Sequence, residues 1–133
     1  MRVITHDKIK SLGFLKLLRE FNVSLFDGNL DISEFSLLMV LSMNADWDRR
    51  HRNFGRVCIS NKMLGKIKGL NRNKVPILKK SLSKKGYIQI VDNENSVDVI
   101  KINNFDKYQL NPDFGYAKIF KEVDKDLENN TNH

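Results

Sequence analysis

The sequence predicts a small α+β domain, mostly helical. Three observations lead there: apolar residues recur at helical spacing in several separate segments, two β-rich runs flank one turn cluster, and a glycine-containing turn separates two short helical patterns. With 133 residues, 41% apolar and 29% charged, the chain suffices for one hydrophobic core. Its single cysteine, Cys58, excludes an internal disulfide and fits a reducing compartment. No charged segment leading into an apolar run opens the chain, and no apolar stretch approaches the roughly 20 residues that span a bilayer. The expectation is a cytoplasmic protein that does not enter a membrane.

From Leu12 to Asn22, the residues Leu12, Leu15, Leu18 and Phe21, with Phe14 and Leu17 beside them, recur at helical spacing between Lys16, Arg19 and Glu20. This predicts a first amphipathic helix. Asp27-Gly28-Asn29 then marks a turn, and Asp31 and Glu34 stand three apart in a capping arrangement ahead of Ile32, Phe35, Leu37, Leu38, Met39, Val40, Leu41 and Met43. So apolar a segment reads as the central buried helix, ending near Asn44. A polar loop, Ala45 to Gly55, follows, and Arg56 to Ile59 reads as a short strand.

Ser60 can cap a short helix carrying Met63, Leu64 and Ile67, which Lys68-Gly69 would end. Asn71 can cap the next, with Val75, Leu78 and Leu82 inward and Gly86 at its C-terminal stop. Pro76 lacks an amide and is tolerated in a first turn, so this helix is expected to start late, nearer Asn73. Tyr87–Val91 and Val97–Ile102 are β-rich around the turn cluster Asp92–Ser96, which predicts a hairpin. Past Asn111-Pro112, Tyr116, Ile119, Phe120, Val123 and Leu127 form a helical apolar stripe that needs burial. The expected organisation is a domain over residues 1–110, then a C-terminal helix and flexible tail over 111–133.

Charge is segregated along the chain. Between Asp48 and Asp92 there is no acidic residue, and thirteen of the 23 basic side chains fall there, leaving 10 basic against 16 acidic residues elsewhere. The net charge of +7 is thus concentrated in one segment, where it creates a positive potential that attracts a polyanion. Catalysis has little support: no G-x-x-x-x-G-K-[ST] loop occurs, and the basic segment lacks the clustered carboxylates or nucleophile that a nuclease needs. No enzyme activity and no cofactor are expected. Asp46, Asp48 and His51 make a loose set without a fourth donor, so no metal is expected either. Cys58 between Val57 and Ile59 reads as a buried small hydrophobe.

Helix, helix, short strand, helix, turn, helix and hairpin is the order of a winged helix-turn-helix. The stretch Ile59-Ser60-Asn61-Lys62-Met63-Leu64, through Leu70-Asn71-Arg72-Asn73-Lys74-Val75, to Leu82-Ser83-Lys84-Lys85-Gly86-Tyr87-Ile88 resembles the winged-helix domains of phage and plasmid replication proteins and related bacterial regulators. The resemblance covers about two thirds of the chain. It implies a winged helix-turn-helix with an extra N-terminal helix and a C-terminal amphipathic helix, binding DNA in replication, maintenance or transcriptional control. Fold of this kind does not fix the process. One departure stands out: the hairpin turn carries Asp92, Glu94 and nearby Asp98, which repel phosphates.

With Val75, Leu78 and Leu82 inward, Asn73, Ile77, Lys80 and Lys84 project outward on the helix expected to enter a major groove. Asn73 suits adenine, Arg72 suits guanine or phosphate, Ile77 suits a thymine methyl, and Lys80 and Lys84 suit phosphates. The full candidate set for DNA contact is Arg49, Arg50, Arg52, Ser60, Asn61, Lys62, Asn71, Arg72, Asn73, Lys74, Ile77, Lys80 and Lys84. The expected partner is double-stranded DNA read by a homodimer. The C-terminal stripe is one candidate for the dimer contact, and its packing back beside the first helix is the other. A rival reading makes the basic face a dock for an acidic protein partner. RNA or single-strand binding ranks last, because Phe54 and Tyr87 are the only aromatics in the basic segment.

Overall fold

A computed structural model describes residues 1, 3–10 and 15–109. These residues form a mixed α+β fold of four α-helices and one three-stranded antiparallel sheet. In chain order the elements are α1 (Glu20–Phe26), α2 (Ile32–Asn44), β1 (Arg56–Cys58), α3 (Asn61–Leu64), α4 (Val75–Lys84), β2 (Ile88–Glu94) and β3 (Val97–Ile102), with single 3-10 turns at His6–Lys8 and Phe105–Tyr108. The strands lie in the order β1-β3-β2. Among the described residues no helix is long and apolar enough to cross a membrane. The stripe from Tyr116 to Leu127 lies outside the described residues.

Helix α2 forms where its capping box predicts. Asp31 Oδ1 accepts from the Glu34 amide at 2.7 Å, and Glu34 Oε1 accepts from the Asp31 amide at 3.0 Å, satisfying two donors that a helix start would otherwise leave open. Its Leu37, Leu38 and Leu41 are fully buried. Helix α4 starts late, as Pro76 requires, with the proline in the first turn. It ends in a Schellman motif: the Gly86 amide reaches Ser83 O at 3.1 Å and the Tyr87 amide reaches Leu82 O at 3.0 Å. Gly86 has φ +85°, a conformation that favours glycine at this stop.

Three elements differ from the sequence expectation. Residues 15–18 are not helical, and α1 begins only at Glu20 and runs through Phe26. The Lys16 amide donates to Tyr108 O at 2.6 Å, so it is not available for the bond to residue 12 that a helix from Leu12 would demand. Helix α3 is a single turn ending at Leu64, with Ile67 beyond it. The hairpin turn is two residues, Asn95-Ser96, both at positive φ in the manner of a type I′ turn, so Asp92–Glu94 belong to β2. A bulge between Ile90 and Asp92 lets this polar stretch remain paired with β3.

Cross-strand partners share a face of the sheet. Val57 opposite Ile100, and Ile88 opposite Ile102, join Leu37, Leu38, Leu41, Leu64, Val75 and Leu82 in the core. The other face carries Arg56 opposite Lys101, and Cys58 opposite Val99. Cys58 is buried, as expected of a small hydrophobe, and burial raises its thiol pKa. Beside α1, an aromatic seam closes the domain: Phe21 meets Phe35, Tyr87 and Tyr108 at 5.5, 6.2 and 5.7 Å between ring centroids.

Candidate functional site

The register of the sheet decides which basic residues come together. β1 runs from Arg56 to Cys58 against β3 from Lys101 to Val99, so the chain leaving β1 at Ile59-Ser60 heads toward the hairpin tip at Asn95-Ser96. Helix α3 therefore lies at the tip end of the sheet, packed against α4. Arg49, Arg50 and Arg52 enter β1 from the opposite end. Among the described residues, no hydrogen bond or ion pair joins this loop to α3 or α4.

At the tip end, local hydrogen bonds set the chain's course. Ser60 Oγ accepts from the Met63 amide at 3.0 Å, capping α3 as expected. Asn71 Oδ1 accepts from the Asn73 amide at 2.8 Å in a turn that precedes α4, so Asn71 shapes the approach to the helix. The N-cap position itself is Lys74, which makes no side-chain cap. Arg72, Asn73, Lys74, Pro76, Ile77, Lys80 and Lys84 are all exposed, and Ile77 is 66% exposed on the helix's outer face.

Two residues that matter here carry no local sequence signal. Lys79 was one of the thirteen basic residues of the charged segment, yet it is only 2% exposed. Its ammonium donates to Asn61 Oδ1 at 2.5 Å and lies 3.7 Å from Asp98 Oδ2, tying α3, α4 and β3 together. Burial lowers its pKa, with Asp98 opposing. Asn61 thus holds an internal lysine. Asp98 also accepts from Asn93 at 3.1 Å, and Glu94 takes the Met1 amino group at 3.0 Å. Of the hairpin carboxylates, Asp92 alone is without a basic partner among the described residues.

The second residue is Gly65. A Cβ built there would lie 2.7 Å from Arg72 Cβ, 3.0 Å from its Cα and 3.1 Å from its amide nitrogen. Backbone that close cannot step aside as a flexible side chain can. Gly65→Ala is expected to destabilise the fold by about 1–3 kcal/mol and to displace the Arg72-Asn73 turn. Thermal unfolding measures the first effect, and an unchanged melting temperature would show that the turn absorbs the methyl group.

Three of the thirteen basic residues are held by carboxylates. Arg50 grips Asp48 through Nε at 3.0 Å and Nη2 at 2.7 Å, and the hydrogen bonds from Arg50 hold the Asp48 carboxyl far below its ordinary pKa. Lys85 lies 2.7 Å from Glu34, and Lys79 is paired with Asp98. His51 turns its ring nitrogens to Asp46 at 3.0 Å and Asp48 at 3.3 Å, which closes the loop on itself. The other ten basic side chains have no carboxylate partner among the described residues. Seven of them, Lys62, Lys66, Lys68, Arg72, Lys74, Lys80 and Lys84, lie on α3, α4 and the turn between them. Comparison with protein-family models, with curated proteins and with solved structures returned no match.

Proposed function

We propose that the protein is a non-enzymatic, site-specific duplex-DNA-binding protein of the winged helix-turn-helix type, serving plasmid or phage replication, maintenance or transcriptional control. One observation carries the reading: seven cationic side chains without carboxylate partners surround a helix whose outward face presents the bare Ile77, with Asn73 exposed in the turn just ahead of it. A polyanion with an apolar, hydrogen-bonding groove floor complements that combination. The order of elements, with a short helix, a turn and a second helix ahead of a hairpin, supports the winged-helix part of the proposal. The cytoplasm is where such a protein meets DNA.

Roles divide between α4 and the turn ahead of it. Lys80 and Lys84 meet phosphates, while Ile77 on the helix and Arg72 and Asn73 in the turn read base edges; Lys62 on α3 and Lys74 at the start of α4 add phosphate contacts. Arg49 and Arg52 lie at the other end of the sheet, where they reach only the flanks of a site. A single small helix reads few base pairs, so a second copy on a half-site about one helical turn away extends the sequence that is recognised.

A mobility-shift assay on duplex DNA with unrelated competitor tests the reading. Asn73→Ala is expected to erode discrimination between a preferred and a scrambled duplex by roughly 1–3 kcal/mol, whereas Lys80→Ala weakens both about equally. Equal losses for Asn73→Ala on both duplexes would remove that residue from base reading. Binding to acidic polypeptide but not to duplex DNA would replace the DNA reading with a protein-docking one.

A further inference from the structure

An apolar groove runs along α1. Leu17, Leu18, Phe21, Leu25 and Phe35 line it, Arg19 and Asn22 edge it, and it measures about 500 Å³. A shallower recess of about 320 Å³ continues it past Leu18 and Arg19 to Lys16, Glu20 and Lys107. The floor is aromatic and aliphatic, and the rim carries three cations against one carboxylate. Apolar surface of this extent is more stable covered than wet.

We propose that this groove seats the chain's own C-terminal segment, residues 116–127, with Tyr116, Ile119, Phe120, Val123 and Leu127 against Phe21, Leu25 and Phe35. Position is the first argument. The described chain arrives at the groove wall, where the Tyr108 ring stacks on Phe21 at 5.7 Å with 21° between planes, and Tyr108 O accepts from the Lys16 amide at 2.6 Å. The eight residues from Tyr108 to Tyr116 reach roughly 29 Å when extended, ample to turn back onto α1. Twelve residues in helical form cover roughly 18 Å.

Charge is the second argument. Drawn on a helical projection, Glu122 and Asp126 border the apolar stripe on one side and Asp124 and Glu128 on the other, while Lys118, Lys121 and Lys125 fall on the far side. Acidic shoulders around an apolar stripe match a groove rimmed by Lys16, Arg19 and Lys107. Tethering is the third: a short linker holds the segment at an effective concentration in the millimolar range, well above that of a second copy in dilute solution. The stripe is then used within one chain, and two copies meeting on DNA do so through another surface. This inference is independent of DNA binding.

Disulfide trapping in the full chain tests it. Leu17, at the exposed edge of the groove, is changed to cysteine and paired in turn with Ile119→Cys, Phe120→Cys and Val123→Cys; the native Cys58 is buried. Mild oxidation is expected to give, for at least one pair, a cross-linked species of monomer mass whose yield is independent of protein concentration. Adding Lys16→Glu and Arg19→Glu should lower that yield several-fold. Covalent dimers that grow with concentration would overturn the proposal in favour of a second copy, and no cross-link with any pair would overturn it outright. Hydrogen exchange on the unmodified chain provides a check free of fold-disturbing substitutions: amides of 116–127 protected at high dilution support the seat, and unprotected amides contradict it.

Discussion

Raising salt from 50 to 200 mM is expected to weaken duplex-DNA binding about a thousandfold. Seven cationic side chains on α3, α4 and their connecting turn have no carboxylate partner among the described residues. Each phosphate they neutralise releases condensed counterions, so about six contacts give a slope of log K against log salt of roughly −5. Lys79, Lys85 and Arg50 are left out of this count, because each is already paired with Asp98, Glu34 or Asp48. Removing one counted lysine, as in Lys80→Ala, should make the slope shallower by about one, whereas Arg50→Ala should leave it nearly unchanged. Fluorescence anisotropy at four or five salt concentrations yields both numbers, and a flat dependence would contradict the phosphate role of the helix face.

The largest stability effect is expected at Glu34. This side chain is 3% exposed, and one carboxylate serves three donors: it accepts from Lys85 Nζ at 2.7 and 2.9 Å, from the Ser81 hydroxyl, and from the Asp31 amide at 3.0 Å. It thereby joins the start of α2 to the end of α4. Glu34→Ala leaves those donors unsatisfied and opens a space, a loss of about 3 kcal/mol and a fall of about 10 °C in Tm. Burial alone would raise the Glu34 pKa, but the hydrogen bonds from Lys85, Ser81 and Asp31 outweigh it and leave the group below its ordinary value. With a folded-state value below the unfolded one, the contribution is complete above the ordinary glutamate pKa of roughly 4.3 and is lost as pH falls through the folded value. Glu34→Gln should therefore flatten the acid limb of the stability curve. Urea titrations of both variants between neutral and acid pH test this, and an unchanged acid limb would contradict it.

Features fixed by neighbouring residues were legible in the sequence, and those fixed by distant partners were not. Asp31 and Glu34 announce α2 because a capping box closes within four residues, and Pro76 and Gly86 bracket α4 because each restricts its own backbone. Leu15, Leu18 and Phe21 misled, since helical spacing was met by tertiary contacts while the Lys16 amide bonded to Tyr108, far along the chain. The polar run Asp92–Glu94 looked like turn, yet an edge strand with a bulge tolerates polar side chains as long as its backbone stays paired.

The candidate site divides in the same way. Exposure of Ile77, Lys80 and Lys84 followed from the inward placement of Val75 and Leu82, a matter of helical period, whereas Asn73 is exposed in the turn ahead of the helix. Burial of Lys79 depended on Asn61 and Asp98, each nearly twenty positions away. The pairing of Phe105 with Phe54 at 5.4 Å, and of Tyr108 with Phe21 at 5.7 Å, had a trace in the spacing F-x-x-Y, which puts both aromatics on one side of a turn.

The central claim is that the outer face of α4, and not net charge as such, binds duplex DNA. Its most direct test compares two double charge reversals of equal net charge in the full chain. Lys80→Glu/Lys84→Glu alters the helix face, and Arg56→Glu/Lys101→Glu alters a cross-strand pair on the sheet face turned away from the core. Anisotropy titration at one fixed salt concentration is expected to show about a 100-fold loss of affinity for the helix variant and a loss several-fold at most for the sheet variant. Equal losses in the two variants, or no duplex binding by the unmodified protein, would contradict it.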